Sequence, residues 1–283
     1  MRINTNVASL NSMESAANTQ NNLRNSLEKL SSGLRINKAS DDASGLAIAD
    51  KLRTQANSIG QSISNGNSAV ALTQIADKAM AEQSNILDIV KTKMVQAATA
   101  TTSDEGREAI RKDVSKLLSQ LDTIAQQTNY NGTTLLQASA TSAAGAATSL
   151  TFQMGETSND TITTTAGVNA NSDGLSLTAV RDLAADGLSA GGAQSAMTLV
   201  DSALNTLNGW RADFGSTQNQ LESAIRNQMT QQTNIKAAES VIRDVDYAAE
   251  SANFNKQNII AQAGTYAMSQ SNATQQNVLR LLQ

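Results

Sequence analysis

From Met197 to Ile225 the chain carries a seam whose members fall at alternating steps of three and four: Met197, Val200, Leu204, Leu207, Arg211, Phe214, Gln218, Leu221 and Ile225. Such spacing keeps side chains on one face only in an α-helix. A mean step of 3.5 marks a helix packed lengthwise on another. A second seam, Ile110, Val114, Leu117, Leu121 and Ile124, follows Thr101 to Asp104, which offer an N-cap, with Glu105 in the first turn. A third pattern starts at Leu52, Ala56, Ile59, Ile63 and Val70. It continues through Leu72, Ile75 and Ala79 to Ile86, Val90 and Val95. If residues 46 to about 100 form one helix, it is about 80 Å long. Proline, the strongest helix breaker, is absent from all 283 residues. The fold class expected is mainly α: an elongated antiparallel helical coiled-coil rod with a small β-hairpin region at the middle of the chain.

Aromatic residues make up 2% of the chain against 40% hydrophobic residues in all. Burial therefore falls to aliphatic seams rather than to a broad aromatic core. Cysteine and histidine are both absent. Disulfides, thiolate metal sites, histidine-based serine triads and HExxH zinc sites are thereby excluded. Asp41/Asp42 and Asp244/Asp246 are paired acids, but with no other catalytic group nearby they read as caps and surface charge. No catalytic, cofactor or metal site is expected. The net charge of −4 is interspersed, so no nucleic-acid footprint appears. No run approaches the ~20 apolar residues of a membrane span, and the N-terminus lacks the apolar core of a cleaved signal.

The chain is symmetric about its middle. Thin stripes, Val7, Leu10, Met13, Leu23, Leu27, Leu30 and Leu34 at one end and Phe254, Ile259, Ile260, Met268, Val278, Leu279 and Leu282 at the other, flank the strong seams. Between them, residues 138–195 change character. LTFQMGETSNDTITTTAGV reads as a hairpin, Asn131-Gly132 as a turn, and the stretch up to Gly192 as loop with a short helix. A chain so arranged runs out, turns and returns, with its terminal helices side by side. The domains expected are 1–44 plus 244–283, and 45–243 including a 138–195 tip. The stretch LSSGLRINKASDDASGLAIADKLR, residues 30–53, interrupts one helical pattern before another begins. Gly33 and Gly45 let the backbone leave the helix, and Asp41 and Asp42 can cap the next one. It is either an ordinary capped loop or a join between a weak terminal layer and the rod.

INTNV (3–7), LSSGLRIN (30–37) and DDASGLAIADKLR (41–53) at one end resemble the N-terminal signature of the bacterial flagellins. RADFGSTQNQLESAI (211–225), IRDVDYA (242–248), QAGTYAM (262–268) and QNVLRLL (276–282) resemble the C-terminal one. The resemblance covers residues 1–137 and 197–283 in order. It implies a subunit of the flagellar filament, exported by the flagellar type III pathway to the cell exterior. Paired terminal helices would form an inner tube through Ile3, Val7, Leu10, Leu23, Leu27, Leu30, Leu34, Phe254, Ile260, Val278, Leu279 and Leu282. The seams at Ile110, Val114, Leu117, Leu121, Ile124, Val200, Leu204, Leu207, Phe214, Leu221 and Ile225 would form the rod. Implied partners are further copies of the chain, an export chaperone on residues 251–283, and the filament cap and hook-junction proteins. Nucleic acid and membrane are not among them.

Longer relatives engage the animal Toll-like flagellin receptor through an Arg, a Leu and a Glu. The equivalent positions here are Ile89, Lys93 and Asp113. Ile89 cannot pair bidentately and Lys93 sets a charge where an apolar contact is expected, so weak or no receptor activation follows. Ser139, Thr141, Ser142, Thr148, Ser149, Thr161, Thr163, Thr164 and Thr165 are either O-glycosylation sites, as in some relatives, or a plain polar loop. Two departures stand out. No proline precedes the terminal QNVL, and Trp210 occupies a position usually polar in relatives. Trp210 is expected to pack within its own rod rather than against a neighbour. The alternatives are a hook–filament junction protein and a generic coiled coil, whose seams would run strong to the chain ends.

Overall fold

The computed structural model describes residues 6–138, 146–147, 149–164, 167–182 and 188–281. The protein is mainly α. Helix α1 spans Val7–Ser32, α2 Ala43–Ala98, α3 Asp104–Gln127, α4 Thr178–Asp182, α5 Ala190–Arg243 and α6 Tyr247–Leu281. Among the described residues, two antiparallel strand pairs lie between α3 and α4. They are β1 (Asn129–Tyr130) with β2 (Thr133–Thr134), and β3 (Thr151–Gln153) with β4 (Thr161–Thr163). Contacts divide the chain into two units, Met1–Asn57 with Thr233–Gln283, and Ser58–Gln232.

In the unit Ser58–Gln232 one core joins α2, α3 and α5. Met80, Leu87, Val90 and Met94 meet Ile110, Val114, Leu118 and Leu121, and Val200, Leu207 and Phe214. The seam read from sequence in α2 is displaced. The buried line runs through Leu72, Ala76, Met80, Gln83, Leu87, Val90, Met94 and Ala97, while Ile75 and Val95 are exposed. Polar Gln83 occupies a seam position and hides the 3–4 alternation. On α5 the seam residues Val200, Leu207, Phe214, Leu221 and Ile225 are buried, interleaved with Ala193, Ala196 and Ala203, whose small size lets the helices approach closely. Trp210 packs partly buried against this same core, as expected.

The elements end where local chemistry dictates. Ser103 caps α3 by accepting from the Gly106 N–H at 3.2 Å, and Asp104 and Glu105 suit the positive end of its dipole. Arg107 reaches back to the carbonyls of Ala97 and Thr99, both at 3.1 Å, and satisfies orphan acceptors at the end of α2. Asn131 and Gly132 sit at φ 50° and 82° between β1 and β2, as a two-residue hairpin turn requires. The β3–β4 hairpin pairs Phe152 with Ile162. Its Met154 closes a small cluster with Ala69, Leu221 and Ile225.

In the unit of the chain ends, α1 stops at Gly33, whose φ of 74° is open to glycine and costly for other residues. Asp41 accepts from the N–H groups of Asn37 (3.1 Å) and Lys38 (3.0 Å) and shapes the loop, while Asp42 accepts from Gly45 N–H at 2.9 Å and caps α2. Gly45 does not break a helix as expected, since it lies within α2. There its lack of a Cβ matters, because that atom would stand 2.7 Å from Ile36 Cδ1.

Candidate assembly surface

The two chain ends meet as antiparallel helices. At the base, Arg35 N–H donates to Arg243 C=O at 2.6 Å and Val245 N–H to Gly33 C=O at 3.0 Å. These bonds make a one-rung bridge between Leu34 and Asp244. Arg35 adds a bond from its guanidinium to Ile242 C=O at 2.6 Å. Asp246 caps α6 through Ala248 N–H at 2.9 Å. From there α1 and α6 run alongside one another, and the Asn6 amide reaches Ser271 Oγ at 3.3 Å near the far end.

The helix pair has its polarity inverted. The buried residues of α1 are Thr19 and Ser26. Ser26 donates to Glu250 Oε1, and the Asn253 amide lies 3.4 Å from both of these oxygens. Meanwhile Val7, Leu10, Met13 and Leu27 on α1 and Ile259 and Tyr266 on α6 are more than half exposed, and Ile260 is exposed as well. Leu23, Leu30, Leu34 and Phe254 are half-buried. Ile3 and Leu282 lie outside the described residues. Val278 and Leu279 belong to α6, but their side chains are outside the description. A helix normally buries its apolar stripe, so an outward stripe on two paired helices is surface awaiting cover.

Among the rod positions, Ile110, Val114, Leu121, Val200, Leu207, Phe214, Leu221 and Ile225 are buried. Leu117, Ile124 and Leu204 pack half-buried at the core's margin. Leu118, fully buried, takes the place that Leu117 held in the sequence reading. At the receptor-equivalent positions, Ile89 is exposed, and Lys93 Nζ lies 3.3 Å from Asp113 Oδ2. Of the Ser/Thr tract, Ser149, Thr161 and Thr163 are exposed. Thr164 is a correction: it is buried, and its hydroxyl oxygen accepts from Leu150 N–H at 2.9 Å, which closes it to a modifying enzyme. Ser139, Thr141, Ser142, Thr148 and Thr165 lie outside the described residues. Among the described residues no group of three acidic side chains is placed to hold a metal ion, and no helix is long and apolar enough to cross a membrane.

Residues 3–141 match the bacterial flagellin N-terminal helical region and residues 197–282 the C-terminal helical region. The chain belongs to the bacterial flagellin family. The flagellin of Bacillus subtilis (strain 168) is 36% identical over the full length of both chains. The flagellar filament 33 kDa core protein of Treponema phagedenis is 32% identical, again over the full length of both. The crystal structure of Bacillus cereus flagellin matches 62% of this flagellin and 94% of its own chain, at 27% identity and a TM-score of 0.50. The two matched regions take in α1 to β2, most of α5 and all of α6, so both terminal helices lie within the family's helical regions. The hairpin β3–β4 falls in the stretch between them.

Proposed function

We propose that this flagellin is the structural subunit that polymerises into the bacterial flagellar filament and so serves motility. The observation that carries this reading is the inverted helix pair α1–α6, which turns Val7, Leu10, Met13, Leu27, Ile259 and Tyr266 outward. One copy cannot cover that stripe by itself, whereas neighbouring copies can. A contact between different faces of successive copies does not close and therefore propagates as a helix of subunits. The relatives that match over their full length carry flagellin and filament names, which favours the filament over the hook–filament junction.

On this reading α1 and α6 are held weakly in the single subunit, because polar contacts between them offset little of the entropy of ordering two long helices. Such ends suit export in an unfolded form through the flagellar type III pathway, with a chaperone on residues 251–283 until delivery. The filament cap and hook-junction proteins would meet the same ends outside the cell. Amide exchange should be fast at residues 6–32 and 250–281 of the monomer and slow after polymerisation. Equal protection in both states contradicts the reading.

The deciding experiment is negative-stain electron microscopy of the purified chain after addition of sulfate, which strengthens burial of apolar surface. Long uniform filaments are expected. Persistent monomers, under conditions that polymerise another flagellin, would transfer the chain to the junction class.

A further inference from the structure

The contact between α1 and α6 is unusual in what holds it. Thr19 turns its hydroxyl back to Ser15 C=O at 2.8 Å within its own helix. Among the described residues the bonds across the pair are few: the Asn6 amide to Ser271 at one end, and the group of Ser26, Glu250 and Asn253 near the other. Ser26 is 3% exposed. Around this group the half-buried positions mix apolar with small or polar residues, Leu23 and Leu30 on α1 and Phe254, Gln257 and Ala261 on α6. In a seam with so few apolar members, directional bonds carry much of the alignment.

We propose that Ser26, Glu250 and Asn253 form a register key. Their hydrogen bonds set the axial alignment of α6 against α1, and with it which apolar stripe a copy presents to the next. This rests on the filament reading above and names positioning residues within it. The physics favours the key because the bond is directional and one partner is charged. A slip of one turn, about 5.4 Å, would set the Glu250 carboxylate beside Leu23 or Leu30 and part it from Ser26 and Asn253. A single enclosed polar group is a known means of fixing register between helices, at some expense of stability. It also fits a pair that leaves Val7, Leu10, Met13, Leu27, Ile259 and Tyr266 outside. A seam of leucines between α1 and α6 would have bound the pair tightly and left nothing for the neighbouring copies.

The absence of cysteine makes the test direct. Asn6→Cys with Ser271→Cys reports the native alignment. Asn6→Cys with Ala267→Cys or with Thr274→Cys reports a slip in either direction. Each pair is placed in the full chain, polymerised with sulfate and oxidised, and the filaments are imaged in parallel. On the wild-type background, cross-linking through position 271 should dominate, with one helical form. Ser26→Ala should raise the share of slipped cross-links about tenfold and broaden the range of helical forms. Ser26→Thr, which keeps the hydroxyl, should restore both. Asn253→Ala serves the same test if Ser26→Ala stays soluble. Ser26→Ala or Asn253→Ala filaments that cross-link only through 271, with unchanged helical form, overturn the key and leave the filament reading intact. Wild-type chain that never polymerises overturns both.

Discussion

The side-chain amide of Gln83, fully enclosed, donates to the carbonyl oxygens of Leu121 at 3.2 Å and Ala170 at 2.6 Å. One residue of α2 thus ties α3 and the segment after β4 to the same point. Gln83→Leu fills the space but leaves the Ala170 carbonyl without this donor in a dry interior. We expect a loss of about 1–3 kcal/mol in the unit Ser58–Gln232, read as a lower urea midpoint with an unchanged slope. An unchanged midpoint would show that water or a small shift replaces the bond.

Gln83 also shows why parts of the fold were legible in the sequence and others were not. The hairpin Thr151–Thr163, the Asn131-Gly132 turn and the Ser103 cap each follow from chemistry local to a few residues, and each is where the sequence puts it. The α2 seam does not follow locally. Its period is carried by Ala76, Gln83 and Ala97 as much as by leucines, so counting large apolar residues selects Ile75 and Val95, which face outward. The polar contacts of α1 with α6 were illegible for a related reason. Ser26 and Glu250 stand 224 positions apart, and nothing near either announces a partner. The apolar stripes at the chain ends were read correctly as stripes. Only the structure shows that Val7, Leu10, Met13, Leu27, Ile259 and Ile260 among them are exposed.

Leu117 and Leu118 are adjacent in α3 yet differ in surroundings, with Leu118 at 0% exposure in the core and Leu117 at its margin. Leu118→Ala should cost about 2–5 kcal/mol, and Leu117→Ala distinctly less. Thermal unfolding of the two variants side by side checks this. Equal losses would mean that the α3 face is rotated from the one described.

At Asp41, the N–H groups of Lys38 and Asn37 hold the carboxyl below the usual aspartate value of 3.8. Because the folded value is the lower one, the unfolded chain takes up the proton first on acidification. The stabilisation is therefore complete above the ordinary aspartate range and lost as pH falls through it towards the folded value. Amide shifts of Asn37 and Lys38 should titrate together, with a midpoint below 3.8. Asp41→Asn should weaken the loop between α1 and α2 at neutral pH, and the difference from wild type should vanish in acid. A midpoint above 3.8 would contradict the hydrogen-bonded geometry.

Lys93, half-buried, and Asp113, exposed, bridge α2 and α3 beside an exposed Ile89. Such a pair, open to solvent, contributes little to stability, so changing it should leave the fold intact. Its consequence is for recognition. Lys93 is engaged by an acid of its own chain and sets a charge where the resemblance implies a leucine contact with the animal Toll-like receptor. We expect weak or no signal from the wild-type monomer in a reporter cell assay. The triple change Ile89→Arg, Lys93→Leu and Asp113→Glu supplies the guanidinium, removes the misplaced charge and restores the longer acid. It should raise the response by about tenfold or more, since an arginine anchor and an apolar contact are the kinds of residue that dominate such interfaces. Asp113→Ala alone frees Lys93 without adding either contact and should leave the response low. A strong wild-type signal would show that receptor engagement does not depend on these three positions in this chain.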